Sequence, residues 1–336
     1  MRFLFPKSLN DLTWCLIQLL CAERVRHSIE VVRDRANQNA QANRRVTKSM
    51  TTSIAEAILH ATHKLRQAGV PEARREAGSL LAYVLNRDRS FILSHAEDAI
   101  DEEQAERFGQ CLERRAQGEP LQYITGNQEF FGLDFEVTRD VLIPRPETEL
   151  LVETALKLLA GSDGAPFICD VGTGSGCIAI ALLHELPQAR AIALDISPGA
   201  LAVAERNAAR HSVADRIEFV LSDCFAALDP GQSSFDLMVS NPPYIEEGAM
   251  ASLQREVRDF EPRLALAAGA DGLAIIRRLL LEAASFLKTG GYFLFEIGFN
   301  QAAAVELLID PRLWKLMDIH KDLQGIPRTV ALQKLG

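Results

Sequence analysis

The chain has 336 residues, 48% of them hydrophobic and 24% charged, with a formal net charge of −9. These values describe a globular protein long enough for two domains and exclude a low-complexity or fibrous chain. The acidic balance argues against a surface that grips nucleic acid through its phosphates, which would need a basic face, and no apolar run approaches the ~18 residues that a membrane-crossing helix requires.

Residues 1–49 carry a short apolar run, Leu12 to Ala22, behind Arg2 and Lys7. No small-x-small cleavage site follows it, so a secretory leader is a poor reading. Mixed charges and a polar stretch from Asn37 to Asn43 come next. This piece is expected to be an extension, disordered or an over-called start, with a packed helix as the alternative. The ordered protein is expected to begin near Met50. Ser53-Ile54-Ala55-Glu56 is a capping-box pattern, and Ile54, Ile58, Leu65 and Ala68 then fall on one helical face. Gly69-Val70-Pro71 breaks the chain. Leu80, Leu81, Val84 and Leu85 mark a second apolar stripe, and Phe108, Cys111 and Leu112 a third. Residues 50–120 thus read as a small helical bundle whose stripes call for core packing or partner docking rather than chemistry.

Residues 121–145 change character: Phe130, Phe131, Phe135 and Val137 stand among Gly126 and Gly132, which predicts a linking hairpin. Pro144 and Pro146 lead into a helix from Glu147 to about Ala160, opening a domain that runs from 146 to 336. Phe167–Val171, Ala191–Ile196, Ile217–Leu221, Phe235–Ser240 and Tyr292–Ile297 are nearly continuous apolar runs, the early ones separated by amphipathic segments. That alternation predicts an α/β fold with a mostly parallel sheet covered on both faces. Trp314–Lys321 and Thr329–Lys334 read as two further, antiparallel strands. The six cysteines, Cys15, Cys21, Cys111, Cys169, Cys177 and Cys224, form no C-x-x-C pair and share no zinc spacing with histidine. They read as small buried hydrophobes in a reducing compartment, hence the cytoplasm.

Four segments carry chemistry. Asp170-Val171-Gly172-Thr173-Gly174-Ser175-Gly176 follows the first strand of the sheet and precedes a helix near Cys177. Its glycines permit a tight turn and close approach of a ligand, at the strand ends where doubly wound sheets bind ligands. The spacing is G-x-G-x-G, not the dinucleotide G-x-G-x-x-G, and Asp170 suits the ammonium of a methionine moiety better than a pyrophosphate. S-adenosylmethionine, a nucleotide and a plain turn all remain open from this loop alone. Asp195 ends the next strand, where a carboxylate can accept both ribose hydroxyls; a helix cap aided by Ser197-Pro198 is the alternative. Asp223, with Cys224 beside it, ends the third strand, placed to accept an adenine amino group or to be a solvated loop acid.

Asn241-Pro242-Pro243-Tyr244, after the apolar strand Phe235–Ser240, decides the reading. A planar amide or amino nitrogen is a poor nucleophile, so an enzyme must orient it and stabilise the charge it develops. The Asn241 side-chain oxygen and the Pro242 carbonyl can each accept one N–H, aiming the nitrogen at a methyl donor. Two consecutive prolines fix φ and remove two backbone donors, and Tyr244 can pack against the planar group. The reaction implied is in-line displacement driven by positioning; it needs no metal, and no general base is evident.

These motifs resemble those of class I S-adenosylmethionine methyltransferases acting on planar nitrogen. Pro120-Leu121-Gln122-Tyr123-Ile124-Thr125-Gly126, Phe130-Phe131-Gly132-Leu133 and Leu142-Ile143-Pro144-Arg145-Pro146-Glu147-Thr148-Glu149 are similar to strings of the HemK/PrmC family. Phe260-Glu261-Pro262 and Asp322-Leu323-Gln324-Gly325 extend the resemblance, which runs from about Met50 to the C-terminus. It implies a Rossmann-like, mostly parallel seven-stranded sheet with an N-terminal helical domain and a linking β-hairpin. It implies N5-methylation of the glutamine in the Gly-Gly-Gln motif of class-1 peptide-chain release factors, the helical domain helping to dock them, by a monomer with no direct nucleic-acid or membrane partner. Asp170, Gly172, Thr173, Gly174, Ser175, Gly176, Asp195, Asp223, Cys224 and Asn241 would then hold the cofactor. Asn241, Pro242, Pro243 and Tyr244 would hold the amide, with Phe130 at the junction of the two; Asn241, Pro242 and Tyr244 form the catalytic set. Cys224 stands where many relatives carry an aromatic residue against the adenine, which puts that stacking contact in doubt.

Three rival readings stand beside this one. A sister enzyme would methylate a ribosomal-protein glutamine, but the Ile143–Glu149 string favours the release-factor branch. An N6-adenine DNA methyltransferase would need base flipping and a recognition surface, and the sequence offers no basic domain for it. A non-catalytic binding module would not need an intact Asn241–Tyr244.

Overall fold

The computed structural model describes residues 52–160, 164–230 and 234–336; the expectations for residues 1–49 lie outside them. Helix α1 (Ile54–Gln67) opens as the capping box predicts. Ser53 Oγ accepts from the Glu56 amide at 3.2 Å, and the Glu56 carboxylate accepts from the Ser53 amide at 3.0 Å, which satisfies two of the donors a helix start leaves orphaned. Its buried face is Ile54, Ala57, Ala61 and Leu65. Ala68, expected on that face, is instead the exposed C-cap, because the chain turns out of the helix through Gly69 at φ +82°. Helices α2 (Ala73–Leu85), α3 (Arg89–Ser94), α4 (Glu102–Ala116) and α5 (Leu121–Thr125) complete the bundle. Leu65, Leu80 and Leu81, all fully buried, meet Phe108 and Ile124 in its core. The hairpin segment expected from residue 121 therefore begins with a helix: Leu121 and Ile124 pack on the bundle before the strands start.

Strands β1 (Asn127–Phe130) and β2 (Leu133–Glu136) pair antiparallel, Phe130 opposite Leu133. Their two-residue turn, Phe131-Gly132, has φ of +53° and +75°, the primed geometry that matches strand twist. An aromatic residue resists that region; Glu149 holds it there by accepting the Phe131 amide at 3.0 Å.

The second unit is a seven-stranded sheet in the order β5-β4-β3-β6-β7-β9-β8. The strands are β3 (Phe167–Val171), β4 (Arg190–Asp195), β5 (Ile217–Leu221), β6 (Phe235–Ser240), β7 (Leu287–Glu296), β8 (Trp314–Lys321) and β9 (Pro327–Lys334). Strands β3 to β7 pair in parallel, and β9 is antiparallel to both β7 and β8. Thus β8 and β9 form the expected antiparallel pair, and β9 is the strand that runs against the rest of the sheet. Helices α6 (Glu149–Leu159), α7 (Cys177–Glu185) and α8 (Pro198–Arg210) cover one face, α10 (Ala274–Glu282) the other; α9 (Arg255–Phe260) and α11 (Ala302–Glu306) lie in the later loops. Helix α7 is apolar all round and buried from Cys177 to Leu183, as a helix in the middle of a layer must be. The chain leaves β3 toward β4 on one side and returns to β6 on the other, so the crevice for a ligand lies at the C-terminal ends of β3 and β6.

Two joints fasten the units. Arg115 of α4, only 2% exposed, is ion-paired with Glu76 of α2 and with Glu256 of α9 in the sheet unit. Glu119 accepts from Arg114 at 2.7 and 2.9 Å and from Arg139 at 2.8 Å, and these guanidinium groups, Arg114 first, hold its carboxyl down at about 2.

Candidate active site

At the crevice lies a cavity of about 280 Å³. Gly172, Thr173, Gly174, Ser175, Asp195, Asp223, Cys224, Asn241, Pro242 and Pro243 line it, so ten of the sequence-predicted residues converge on one space. Four others, Asp170, Gly176, Phe130 and Tyr244, stand back from the wall.

The glycine loop is tied down by its own backbone. Gly172 and Thr173 both donate to the Leu194 carbonyl, at 2.8 and 2.9 Å, Gly174 donates to Asp195 Oδ2 at 2.9 Å, and Gly176 to the Thr173 carbonyl at 2.9 Å. A phosphate cradle works by turning such amides toward the anion. Here four of them are already engaged, which argues against the nucleotide reading of the loop. A Cβ built on Gly172 or Gly174 would meet no atom within 4 Å; the space beside them is open for a ligand. Gly176 serves packing instead. At φ +81° its Cβ would stand 2.8 Å from Ile180 and 3.1 Å from Ala204, so only a glycine lets α7 and α8 come together there.

Asp170 is fully buried beneath the loop. Its Oδ2 accepts from Thr173 Oγ1 at 2.8 Å, and among the described residues nothing partners its Oδ1. Burial pushes its carboxyl up to about 7, against the Thr173 hydrogen bond and the pull of the Ala179 amide. A buried carboxylate with one oxygen orphaned is a deficit a nearby cation would relieve. That orphan, the open face of the two glycines and the absence of a phosphate cradle fit a sulfonium cofactor with an ammonium group. Asp195 also accepts from the Ser197 amide at 2.9 Å through Oδ1, while the cap of α8 is made by Ser197 Oγ, which accepts from Ala200 at 3.2 Å. Asp195 is therefore not the cap, and each of its oxygens keeps a lone pair for a hydroxyl. Asp223 is paired with Arg278, 2.6 Å side chain to side chain and 2.8 Å to its carbonyl. Cys224 adopts φ +50°, and burial pushes its thiol up to about 11, so it meets the cavity as a neutral, apolar surface beside Leu279 and Ile196.

The acceptor end holds what the sequence did not reveal. Asn241 Nδ2 donates to Thr148 Oγ1 at 3.1 Å, Thr148 Oγ1 donates to Glu296 Oε2 at 2.7 Å, and the Tyr244 hydroxyl donates to Glu296 Oε1 at 3.2 Å. Glu296 ends β7, is 1% exposed, and burial pushes its carboxyl up, opposed by those two hydroxyls. Gln301 donates to the Tyr244 carbonyl at 3.0 Å and to the Gly272 carbonyl at 3.2 Å. Gly272, at φ +70°, passes so close that a Cβ would overlap the Tyr244 carbonyl. Ile245 exchanges backbone hydrogen bonds with Leu266 and Ala268, each at 2.9 Å, extending the clamp beyond the motif. Among the described residues no donor reaches Asn241 Oδ1 or the Pro242 carbonyl. The 142–149 string takes its place here: Pro144, Arg145 and Thr148 line the cavity, and Arg145 is ion-paired with Glu261 of the Phe260-Glu261-Pro262 string. Phe130, expected at the junction of cofactor and substrate, is 1% exposed and packs edge-on against Phe135 in the core, ring centroids 6.1 Å apart. The signal for Glu296 was an acid closing the apolar run Tyr292–Phe295, a position where an unpaired charge is rarely tolerated.

Residues 56–126 match the PrmC N-terminal domain family and residues 146–259 the methyltransferase small domain family. The chain is 43% identical over 282 residues to a release factor glutamine methyltransferase of Koribacter versatilis, covering 84% of this chain and 99% of that protein. It is 44% identical over 279 residues to the protein of the same name from Nitratidesulfovibrio vulgaris, covering 82% and 94%. Among solved structures, the hMettl16 catalytic domain in complex with an RNA hairpin shares the fold, with a TM-score of 0.50 at 17% identity, covering 76% of this chain and 92% of that one.

Proposed function

The chain belongs to the release factor glutamine methyltransferases, and on that premise we propose that its cavity methylates the N5 side-chain amide of the glutamine in the Gly-Gly-Gln motif of class-1 peptide-chain release factors. S-adenosylmethionine is the methyl donor and, when bound, supplies an electrophilic carbon. The observation that carries the reading is the pair of unengaged acceptors, Asn241 Oδ1 and the Pro242 carbonyl, on two consecutive residues that line the cavity.

Each acceptor takes one N–H of the incoming amide. That fixes the nitrogen's plane and pushes electron density toward the face from which it attacks. The donor would supply the methyl group, its sulfur–carbon bond giving way to the new N–C bond. The nitrogen then gives up one proton to water, and no protein base is required. Gly172, Gly174 and Asp195 would hold the donor, Asp195 with a lone pair on each oxygen free for the ribose hydroxyls and Asp170 with its carboxyl beneath the loop for the ammonium. Asp223 and Cys224 would border the adenine, and Tyr244 anchors the acceptor loop through its hydroxyl on Glu296. The helical domain, residues 52–125, docks the release factor; Arg115 seats it against α9, the helix that follows the acceptor loop. Among the described residues no helix is long and apolar enough to cross a membrane, and we place the enzyme, as a monomer, in the cytoplasm with its substrate.

The test is methyl-labelled S-adenosylmethionine with a release factor, beside an Asn241→Ala variant. Label on the Gly-Gly-Gln glutamine, cut about 10³-fold in the variant while cofactor binding persists, is the expected result. Label on a ribosomal protein or on DNA instead would keep the chemistry and overturn the substrate.

A further inference from the structure

We propose that Glu296, acting through Thr148, is the positioning residue that sets which way round the Asn241 amide faces, and so makes its oxygen rather than its nitrogen the group presented to the cavity. This rests on the glutamine-amide reading above and deepens it.

Hydrogen-bond polarity decides which end of Asn241 faces the substrate. An Asn side chain presents an oxygen and an NH₂ that are nearly the same shape, and only their partners decide which occupies which place. A glutamine amide must meet an acceptor at Asn241; meeting the NH₂ would set donor against donor. Thr148 Oγ1 sits between Asn241 Nδ2 and Glu296 Oε2, 3.1 Å from the first and 2.7 Å from the second. A hydroxyl has one proton. As a carboxylate Glu296 can only accept, so the Thr148 proton points to it and the hydroxyl's lone pair is left for Asn241 Nδ2. Were Glu296 to carry a proton, the chain could run in reverse, with Thr148 donating to the Asn241 oxygen and the NH₂ turned to the substrate.

Burial pushes the Glu296 carboxyl up, and the hydroxyls and a guanidinium around it oppose that push. Tyr244 donates to its other oxygen, so both oxygens are taken by hydroxyls. Arg328, on β9 beside β7, favours the charge, and its own partner is Asp322; Glu147 opposes it. The same burial, at 1% exposure, keeps water from exchanging with each link, so the relay's polarity is set by these side chains alone. Glu296 and Thr148 do not touch the substrate and transfer no proton in the reaction. They fix a polarity, and the same carboxylate fixes the ring of Tyr244.

The experiment measures kcat on a release factor and cofactor affinity for Thr148→Val, Thr148→Ser, Glu296→Gln and the Thr148→Val/Glu296→Gln double variant. Valine keeps the shape and loses the relay; serine keeps the hydroxyl. Glutamine can accept from only one of the two hydroxyls while donating to the other. We expect Thr148→Val and Glu296→Gln each to lower kcat about 10²-fold, as a small misplacement at the reacting nitrogen does. The affinity for S-adenosylmethionine should stay within about twofold, Thr148→Ser should be close to the parent, and the double variant no slower than the slower single, because the pair acts as one unit. A Thr148→Val enzyme as fast as the parent, a serine variant as slow as valine, or losses that add in the double variant would each overturn the assignment. A parent protein that labels no release factor takes down the substrate reading and this assignment together, whereas an active parent with an indifferent Thr148→Val sinks this one alone.

Discussion

At the β3–β4 end of the cavity the chain satisfies itself: the amides of Gly172, Thr173, Gly174 and Gly176 go to carbonyls and a carboxylate within about 25 residues. At the β6–β7 end the Asn241 loop is held by Thr148, 93 residues before it, and by Glu296 and Gln301, well after it, with Gly272 leaving room for its carbonyl. The first end is built from backbone geometry and presents open glycine faces and a carboxylate. The second is built from side chains in a dry pocket, where each partner's loss strands another. A binding surface can rest on local turns, whereas a reacting atom must be held from several directions at once.

Gly272→Ala is the strongest way to break this comparison. The added methyl overlaps the Tyr244 carbonyl and lies 2.8 Å from Gln301 Nε2, so the acceptor loop must shift; kcat should fall about 10²–10³-fold with cofactor affinity nearly unchanged. If affinity falls as steeply, the two ends are not separable. Asp195→Ala probes the other end: the dissociation constant for S-adenosylmethionine should rise about 10²-fold by calorimetry, with kcat at saturation within a few fold.

Asp170→Asn sharpens the electrostatics. The folded carboxyl stands at about 7 against a usual 3.8, so the group favours folding below 3.8 and that contribution is lost as pH rises through 7. Each unit between pH 5 and 7 costs ~1.4 kcal/mol. The ligand-free parent should thus lose about 2–3 kcal/mol relative to Asp170→Asn between pH 5 and pH 8, read by denaturant unfolding; parallel pH curves would show that burial is not setting the proton. Asp223→Asn is the mildest change. Its pair with Arg278 is exposed, so stability should move by less than about 1 kcal/mol, while a modest loss of cofactor affinity would support the adenine contact.

The same contrast governs what could be read before folding. Strands β3, β5 and β6 announce themselves as apolar runs with sharp ends, and the glycine loop, Asp195 and Asn241–Tyr244 follow from position within that alternation. Their chemistry is local to a turn. Thr148 and Glu296 lack such a signature: a threonine at a helix start and an acid after an apolar strand gain meaning only when the sheet brings β7 beside β6. Ala68 failed for the opposite reason, since helical spacing continued past the point where Gly69 ends the helix. Phe130 was assigned by resemblance, and the hairpin register turns its ring into the core.

Arg115 has one carboxylate in each unit: Glu76 belongs to its own bundle, Glu256 to the catalytic side. Losing Glu256 leaves the guanidinium neutralised at home, whereas losing Glu76 removes a partner from inside the bundle itself. The joint is therefore one that evolution or an engineer can loosen from the catalytic side without dismantling the bundle, a fastening with a designated point of release.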